Sequence, residues 1–187
     1  VVNASRRKAL ALGLGAAAVT LLGRSREAHA ASGGLASLHA SFKYAGGAKG
    51  KAKVDKAIDR AIGELPSGLY DIAYKRLSET QSPAKSIVLD IEGSDIRIER
   101  KPNETIHTTA AKPKQIVFTK QGERYVWRQS VRGNTVVQTV TGVGNKTRMS
   151  YALSEDGSKL TFKVFINADL LPRPVEYRLT YKRVPGT

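Results

Sequence analysis

The stretch RYVWRQSVRGNTVVQTVTGVGNKTRMSYAL, Arg124 to Leu153, decides the fold because its side chains alternate in character at every second residue. Alternation with a period of two predicts β-strands that bury one face. The alternation stops at Arg132-Gly133-Asn134 and again at Gly142-Val143-Gly144-Asn145. Glycine and asparagine are typical of tight turns between antiparallel strands, so this stretch predicts three consecutive antiparallel strands.

The same alternation continues on both sides of this stretch. It predicts further strands between Ser86 and Phe118 and again between Leu160 and Tyr181, which makes nine in all, with Gly, Asn, Asp and Pro at the corners. Nine strands with one apolar face each form an antiparallel meander that must bury those faces. Closing the meander into a barrel, or folding it into a sandwich, buries them and also protects the sheet edges. We therefore expect a mainly β fold.

A strand and a helical hairpin are predicted before the meander. Leu38, Ala40, Phe42 and Tyr44 alternate with polar residues as in a strand, and the glycine-rich Ala45–Lys53 is predicted to be a flexible basic link. From Val54 to Leu65, apolar residues recur at i, i+3, i+4, i+7, i+8 and i+11, which predicts an amphipathic helix. Pro66-Ser67-Gly68 ends this helix, and a second is predicted from Leu69 to about Ser78.

The first 30 residues have the three parts of an export signal. Arg6-Arg7-Lys8 is a basic start, Ala9–Leu22 is an uncharged stretch of 14 residues, and Ala28-His29-Ala30 is a small-x-small end. As a helix the uncharged stretch would reach about 21 Å, which is less than the ~30 Å of a bilayer core. We therefore predict cleavage after Ala30 and no membrane span after the signal is removed.

Ser5-Arg6-Arg7 resembles the twin-arginine export signal, usually written S-R-R-x-F-L-K. Leu10 matches that pattern, whereas Ala9 and Ala11 replace its Phe and Lys. The resemblance implies a periplasmic or secreted protein. The expected organisation is a signal peptide at 1–30, a linker and first strand at 31–50, and the helical hairpin and barrel at 51–187, which form a single domain with 38–50.

Composition makes the exported part cationic. The chain has 31 Lys and Arg and 16 Asp and Glu; the signal holds five and one of these, which leaves 26 and 15 and a net charge of +11. Basic residues often stand beside acids, as in Glu99-Arg100 and Glu123-Arg124, so no specific nucleic-acid surface is predicted. There is no cysteine, so no disulfide can form. An alternative function is a cationic envelope protein that binds anionic polymers or a partner protein.

Motifs for catalysis or metal binding are missing from the sequence. After the signal is removed, His39 and His107 are isolated, and a zinc site needs three or four converging ligands. The chain has no Cys and no Gly-x-Ser-x-Gly motif, and Gly142–Thr147 departs from the phosphate-loop pattern. No catalytic residue, metal or cofactor is predicted, and the protein is not expected to be an enzyme.

The candidate ligand-binding residues share the parity of the apolar side of their strands, so they are predicted to point into the interior: Tyr125, Trp127, Gln129, Gln138, Met149, Tyr151, Phe162, Tyr177 and Tyr181. Two interpretations remain open. The polar members can hydrogen-bond to one another in a filled core, or they can face a small hydrophobic or amphipathic ligand, since ligand pockets combine an apolar lining with a few polar groups.

The order of one strand, a helical hairpin and nine meandering strands resembles the calycin-like barrels of the fatty-acid-binding type, over residues 38–184. VEYRLTYKRV (Val175–Val184) resembles the last strand of such barrels, and GNTVVQTV (Gly133–Val140) their late strands. The resemblance implies a lipocalin-like or fatty-acid-binding-like barrel, as in exported bacterial proteins of unassigned role. That family holds a ligand carboxylate with Arg-x-Tyr on the last strand. If the tyrosine of this motif is aligned with Tyr181, Leu179 occupies the position of the arginine.

Overall fold

The computed structural model of the chain describes Leu35 and residues 37–102, 104–119 and 122–186. The predicted signal at 1–30 and its cleavage point after Ala30 lie outside the described residues. Export therefore remains a prediction from the sequence.

Ten strands and two helices make up the described part, in the predicted order. The first strand is followed by both helices and then by nine strands. The bounds are β1 Ser37–Tyr44, α1 Gly47–Ile62, α2 Ser67–Thr80, β2 Ser86–Glu92, β3 Asp95–Lys101, β4 Glu104–Thr108, β5 Lys114–Phe118, β6 Arg124–Arg132, β7 Thr135–Gly142, β8 Asn145–Leu153, β9 Lys159–Ala168 and β10 Val175–Arg183.

All ten strands form one antiparallel sheet with the order β4-β3-β2-β1-β10-β9-β8-β7-β6-β5. β1 pairs with both β2 and β10, so the first and last strands lie side by side. The two edges, β4 and β5, contact each other, and the backbone N–H of His107 on β4 donates to the Gln115 side chain on β5 over 3.0 Å. The sheet is therefore a nearly closed barrel, and the predicted fold class is confirmed.

The hydrophobic core fills the inside of the barrel. Every second residue is buried from Leu160 to Ile166 on β9 and from Val175 to Tyr181 on β10, as the period of two predicts. Phe42, Leu89 and Leu160 from three different strands are completely buried. Burying each such side chain stabilises the fold by about 1.5–3 kcal/mol, so the barrel is held together mainly by apolar packing.

Helix α1 packs against β10 and into the hydrophobic core, and it begins earlier than the sequence predicts. The prediction of a flexible link over Ala45–Lys53 is wrong, because Gly47 onward is helical. The Tyr44 ring packs against this first turn: a Cβ at Gly50 would lie 1.8 Å from the Tyr44 hydroxyl. The glycines, which predicted flexibility, instead allow the helix to pack closely against a tyrosine. The buried face of α1 continues through Val54, Ala57, Ile58, Ala61 and Ile62.

Helix α2 is packed much more loosely than α1. None of its residues is buried, and Leu69 and Ile72 are each 56% exposed. One hydrogen bond joins it to α1, from the Tyr70 hydroxyl to Asp59 Oδ1 over 2.8 Å. At its C-terminal end the Tyr177 hydroxyl on β10 donates to Gln81 Oε1 over 3.0 Å. Tyr70, Ala73, Tyr74 and Leu77 pack against the core but stay partly exposed, so we expect α2 to separate from the barrel more readily than α1 does.

Candidate functional site

Arg100 is a cation that points into the barrel. On β3, Ile96 and Ile98 face inward and Arg100 has the same parity, two residues further on. Its side chain is 22% exposed. Arg100 is not among the nine interior candidates of the sequence analysis, which lie on later strands. Continuing the alternation by one more step identifies Arg100 as an inward residue.

The Arg100 guanidinium lies between an acid, a thioether and two aromatic rings. It forms an ion pair with Glu104, the cross-strand neighbour on β4. Its Nη1 donates to Met149 Sδ over 3.3 Å. Its central carbon lies 6.0 Å from the ring centroids of both Trp127 and Phe162, at the outer limit of a cation–π contact. A thioether accepts hydrogen bonds weakly, so a better acceptor could replace Met149 at this donor.

Two opposing effects set the protonation of Arg100. Burial disfavours the charged guanidinium, but Tyr151 and Glu104 outweigh this effect, and the pKa of Arg100 is raised. The guanidinium is therefore positively charged at any pH at which the protein is folded. The interior thus carries a permanent positive charge beside apolar side chains.

A chain of hydrogen bonds, which we call the glutamine relay, crosses the interior next to Arg100. The Tyr151 hydroxyl donates to Gln138 Oε1 over 2.9 Å, and Gln138 Nε2 donates to Gln129 Oε1 over 3.0 Å. Gln129 Nε2 then donates to the backbone oxygen of Ile96 over 2.8 Å and to Thr108 Oγ1 over 3.2 Å. The relay therefore connects β6, β7 and β8 with β3 and β4, on the other side of the gap between the two sheet edges.

The relay satisfies polar groups that would otherwise be costly to bury. Gln138 is 1% exposed and Tyr151 is fully buried. Of the two interpretations of the interior polar residues, mutual hydrogen bonding therefore describes Gln129, Gln138 and Tyr151. Tyr181 differs from them: its buried hydroxyl lies near the Ala84 backbone and makes no hydrogen bond with the described residues. Such a hydroxyl is an available partner for a bound molecule.

A small cavity, here called the α2 cavity, lies between Arg100 and the end of α2. Its volume is about 40 Å³. A space of this size holds one or a few water molecules, not a drug-sized ligand. It is lined by Thr80, Gln81, Ser82, Pro83 and Ala84 at the end of α2, and by Arg100, Glu104, Phe162, Tyr177 and Leu179 from the barrel.

The structure brings together eight of the nine sequence-predicted candidates. Trp127, Met149 and Phe162 surround Arg100. The relay contains Gln129, Gln138 and Tyr151. Tyr177 lines the α2 cavity, and the Tyr181 ring lies beside the Phe162 ring. Tyr125 lies apart from this group, where its hydroxyl donates to Glu123 and accepts from Asn145 at the β5–β6 and β7–β8 turns.

The two histidines among the described residues, His39 and His107, lie on the outer surface and are paired with acids. His39 Nδ1 is 3.3 Å from Asp90, and His107 pairs with Asp95. Within the described ranges, no three His, Asp or Glu residues converge in a way that could hold a metal ion. Among the described residues, neither helix has the length and apolar character needed to cross a membrane.

Raised tyrosine pKa values predict late ionisation in alkali. Burial raises the pKa of Tyr151 from 10.0 to about 12, and burial likewise raises the pKa values of Tyr177 and Tyr181. The folded-state pKa exceeds the unfolded value, so this contribution to stability is complete below pH 10 and is lost as the pH rises towards 12. Phenolate absorbance recorded together with circular dichroism should show a late component from Tyr151, Tyr177 and Tyr181 that appears only as the protein unfolds. A single step for all seven with an unchanged dichroism spectrum would contradict this assignment.

Comparisons with known proteins identify no family for this chain. No family model matches it, and no curated protein matches it. Among solved structures it is similar to one described as the REP1-NXSQ fatty acid transporter, with 16% sequence identity and a TM-score of 0.47, over 79% of this chain and 96% of that one. Similarity at this level identifies no function, so function has to be inferred from the residues of this chain.

Proposed function

We propose that this chain is an exported, non-enzymatic binding protein that takes up one small amphipathic molecule with an anionic head group. The head group contacts Arg100, and the apolar tail lies among Met149, Trp127 and Phe162. The observation that carries the proposal is a permanent cation inside an aromatic and aliphatic barrel, beside a cavity under its loosest helix.

The surroundings of Arg100 favour an anionic head group. One donor of the guanidinium is used on the weak acceptor Met149, and its acid partner Glu104 is 44% exposed and can move into solvent. A carboxylate replacing Met149 would form a charge-assisted hydrogen bond, which is about twice as strong as a neutral one. The unpaired hydroxyl of Tyr181 supplies a further polar contact close by.

Uptake requires α2 to move. Pockets that enclose a drug-sized ligand measure about 300–1,000 Å³, far more than the 40 Å³ of the α2 cavity. The residues that cover this cavity are the end of α2 and the segment after it, residues 80–84. Because α2 has no buried residue and is held at this end by the Tyr177–Gln81 hydrogen bond, displacing it costs less than displacing α1.

Decanoate is a suitable test ligand because it has a carboxylate head and an unbranched apolar tail. Trp127, the one tryptophan of the chain, lies beside Arg100 and reports on its surroundings by fluorescence. Titration should give a saturable change in emission with one molecule bound per chain and a Kd on the order of 10–100 µM, as expected for a ligand of about twelve heavy atoms. Native mass spectrometry should show the same stoichiometry.

Decyltrimethylammonium provides the matched control, since its tail is the same and its head group is cationic. It should bind much more weakly, because its charge repels Arg100. Equal binding of the two amphiphiles, or no emission change and no mass increase with decanoate, would overturn the proposal.

A further inference from the structure

Folding gathers basic residues on one side of the outer surface. On β6 to β10, nine basic residues point outward and are exposed, whereas Glu176 is the one acid on these strands. We call this surface the cationic face; its members are Arg124, Arg128, Arg132, Lys146, Arg148, Lys159, Lys163, Arg178 and Lys182. Within the described part of the chain, none of the nine forms an ion pair with an acid.

Like charges stand directly opposite each other within and beside the cationic face. Lys163 pairs with Arg178 and Lys159 with Lys182 across β9 and β10. On its far side, Arg128 pairs with Lys114 of β5. Cβ atoms of such pairs lie about 4.5–5.5 Å apart, and like charges in this arrangement are destabilising. A bound polyanion would neutralise these pairs, so the repulsion favours its binding.

The outer surface of β1 to β4 has a different charge pattern. It carries three Lys or Arg, at Lys43, Arg97 and Lys101, and four acids, at Asp90, Glu92, Asp95 and Glu99. Here opposite charges face each other, as in Asp90 and Arg97. Positive charge on the outer surface of the sheet is therefore concentrated on β6 to β10, which a uniform cationic surface would not show.

An open groove extends the cationic face towards α1. Its volume is about 620 Å³. Four basic residues and one acid, Glu176, are among its lining residues, the basic ones being Arg60, Lys163, Arg173 and Arg178. Arg173 also pairs with Glu64 over 2.5 Å, which leaves Arg60, Lys163 and Arg178 to contact an anion in the groove.

We infer that the cationic face, together with this groove, binds an acidic polysaccharide. Arginine forks suit carboxylate and sulfate groups, and a flexible chain can follow the curved outside of a barrel. Proteins that bind single-stranded nucleic acid use aromatic stacking platforms, but Phe165 is the one aromatic residue that points outward on β6 to β10. The most exposed apolar residues, Val143 and Leu170, lie in turns outside the face, so membrane insertion at the face itself is not favoured.

Two triple variants with the same change in charge test this inference. The face variant is Arg128→Gln/Arg148→Gln/Lys163→Gln, and the control is Arg76→Gln/Arg97→Gln/Lys101→Gln, whose sites lie on α2 and β3. At about 0.1 M salt, the face variant should bind heparin or alginate at least ~10-fold more weakly, and the control less than ~2-fold. The plot of the logarithm of the heparin binding constant against the logarithm of the salt concentration should also become less steep for the face variant alone. The decrease in slope should correspond to about two to three fewer released counterions.

Decanoate binding should be unchanged in both variants, which separates this inference from the proposed function. The face variant should unfold at the same or a higher temperature, because it removes two like-charge pairs. Equal losses in the two variants would show that net charge alone drives binding and would overturn the inference. Tighter binding of the unmodified protein to oligodeoxythymidine than to either polysaccharide would also overturn it, as would binding to phosphatidylglycerol vesicles alone.

Discussion

Gln138→Leu is expected to lower the free energy of unfolding by about 3 kcal/mol. The substitution leaves the Tyr151 hydroxyl and the Gln129 side-chain oxygen without their partners, and each buried polar group left unpaired costs about 1–3 kcal/mol. The side chain of Gln138 accepts from Tyr151 and donates to Gln129. Leucine has a similar size, so lost hydrogen bonds rather than lost volume would cause the change. Urea denaturation followed by circular dichroism measures the loss.

The double variant Gln138→Leu/Tyr151→Phe distinguishes the relay from general damage to the core. Removing the Tyr151 hydroxyl removes one of the two unsatisfied groups. The free energy of unfolding of the double variant should therefore exceed that of Gln138→Leu by at least about 1 kcal/mol. If the two substitutions instead add as independent losses, the relay does not stabilise the barrel in the way described.

Arg100→Gln is expected to weaken decanoate binding by about 10- to 100-fold, the equivalent of one hydrogen bond to a charged group. Binding of decanol, which has the same tail and no charge, should change little. Titrations followed by the fluorescence emission of Trp127 measure both affinities. The two ligands together separate a lost head-group contact from a distorted pocket.

Glu104→Gln is the matched control for Arg100→Gln. It removes the acid that pairs with the guanidinium and should leave decanoate binding intact or tighten it, since the carboxylate no longer competes with Glu104. If Glu104→Gln weakens decanoate as much as Arg100→Gln does, or if Arg100→Gln weakens decanol equally, Arg100 does not hold the head group.

The strand pattern could be predicted because alternation is a local property. The parity of Gln129, Gln138 and Tyr151 predicts that they point inward, and in the structure these three side chains are joined by hydrogen bonds. The partners of these side chains could not be predicted, since the Ile96 oxygen and Thr108 lie on strands that only the closure of the sheet brings near. Local composition also misleads at Ala45–Lys53, where it predicts a flexible link although the chain is helical from Gly47.

The charge distribution could not be read from neighbours in the chain. In sequence, Glu99-Arg100 and Glu123-Arg124 are adjacent and suggest local neutralisation. In the structure Arg100 points inward to Glu104, whereas Arg124 belongs to a face on which cations meet cations. Such segregation depends on which residues of paired strands lie opposite each other, and this register is not visible from the neighbours of a residue in its own strand.

The most direct test of the proposed function is to locate decanoate in its complex with the protein by isotope-filtered NMR. The methyl group of Met149, the one methionine of the chain, gives an unambiguous signal inside the barrel. We predict nuclear Overhauser contacts from the decanoate methylenes to the Met149 methyl group and the Phe162 ring. Contacts confined to the exposed Leu69 and Ile72 of α2, with none to Met149, would show that the amphiphile stays outside and would contradict binding in the barrel.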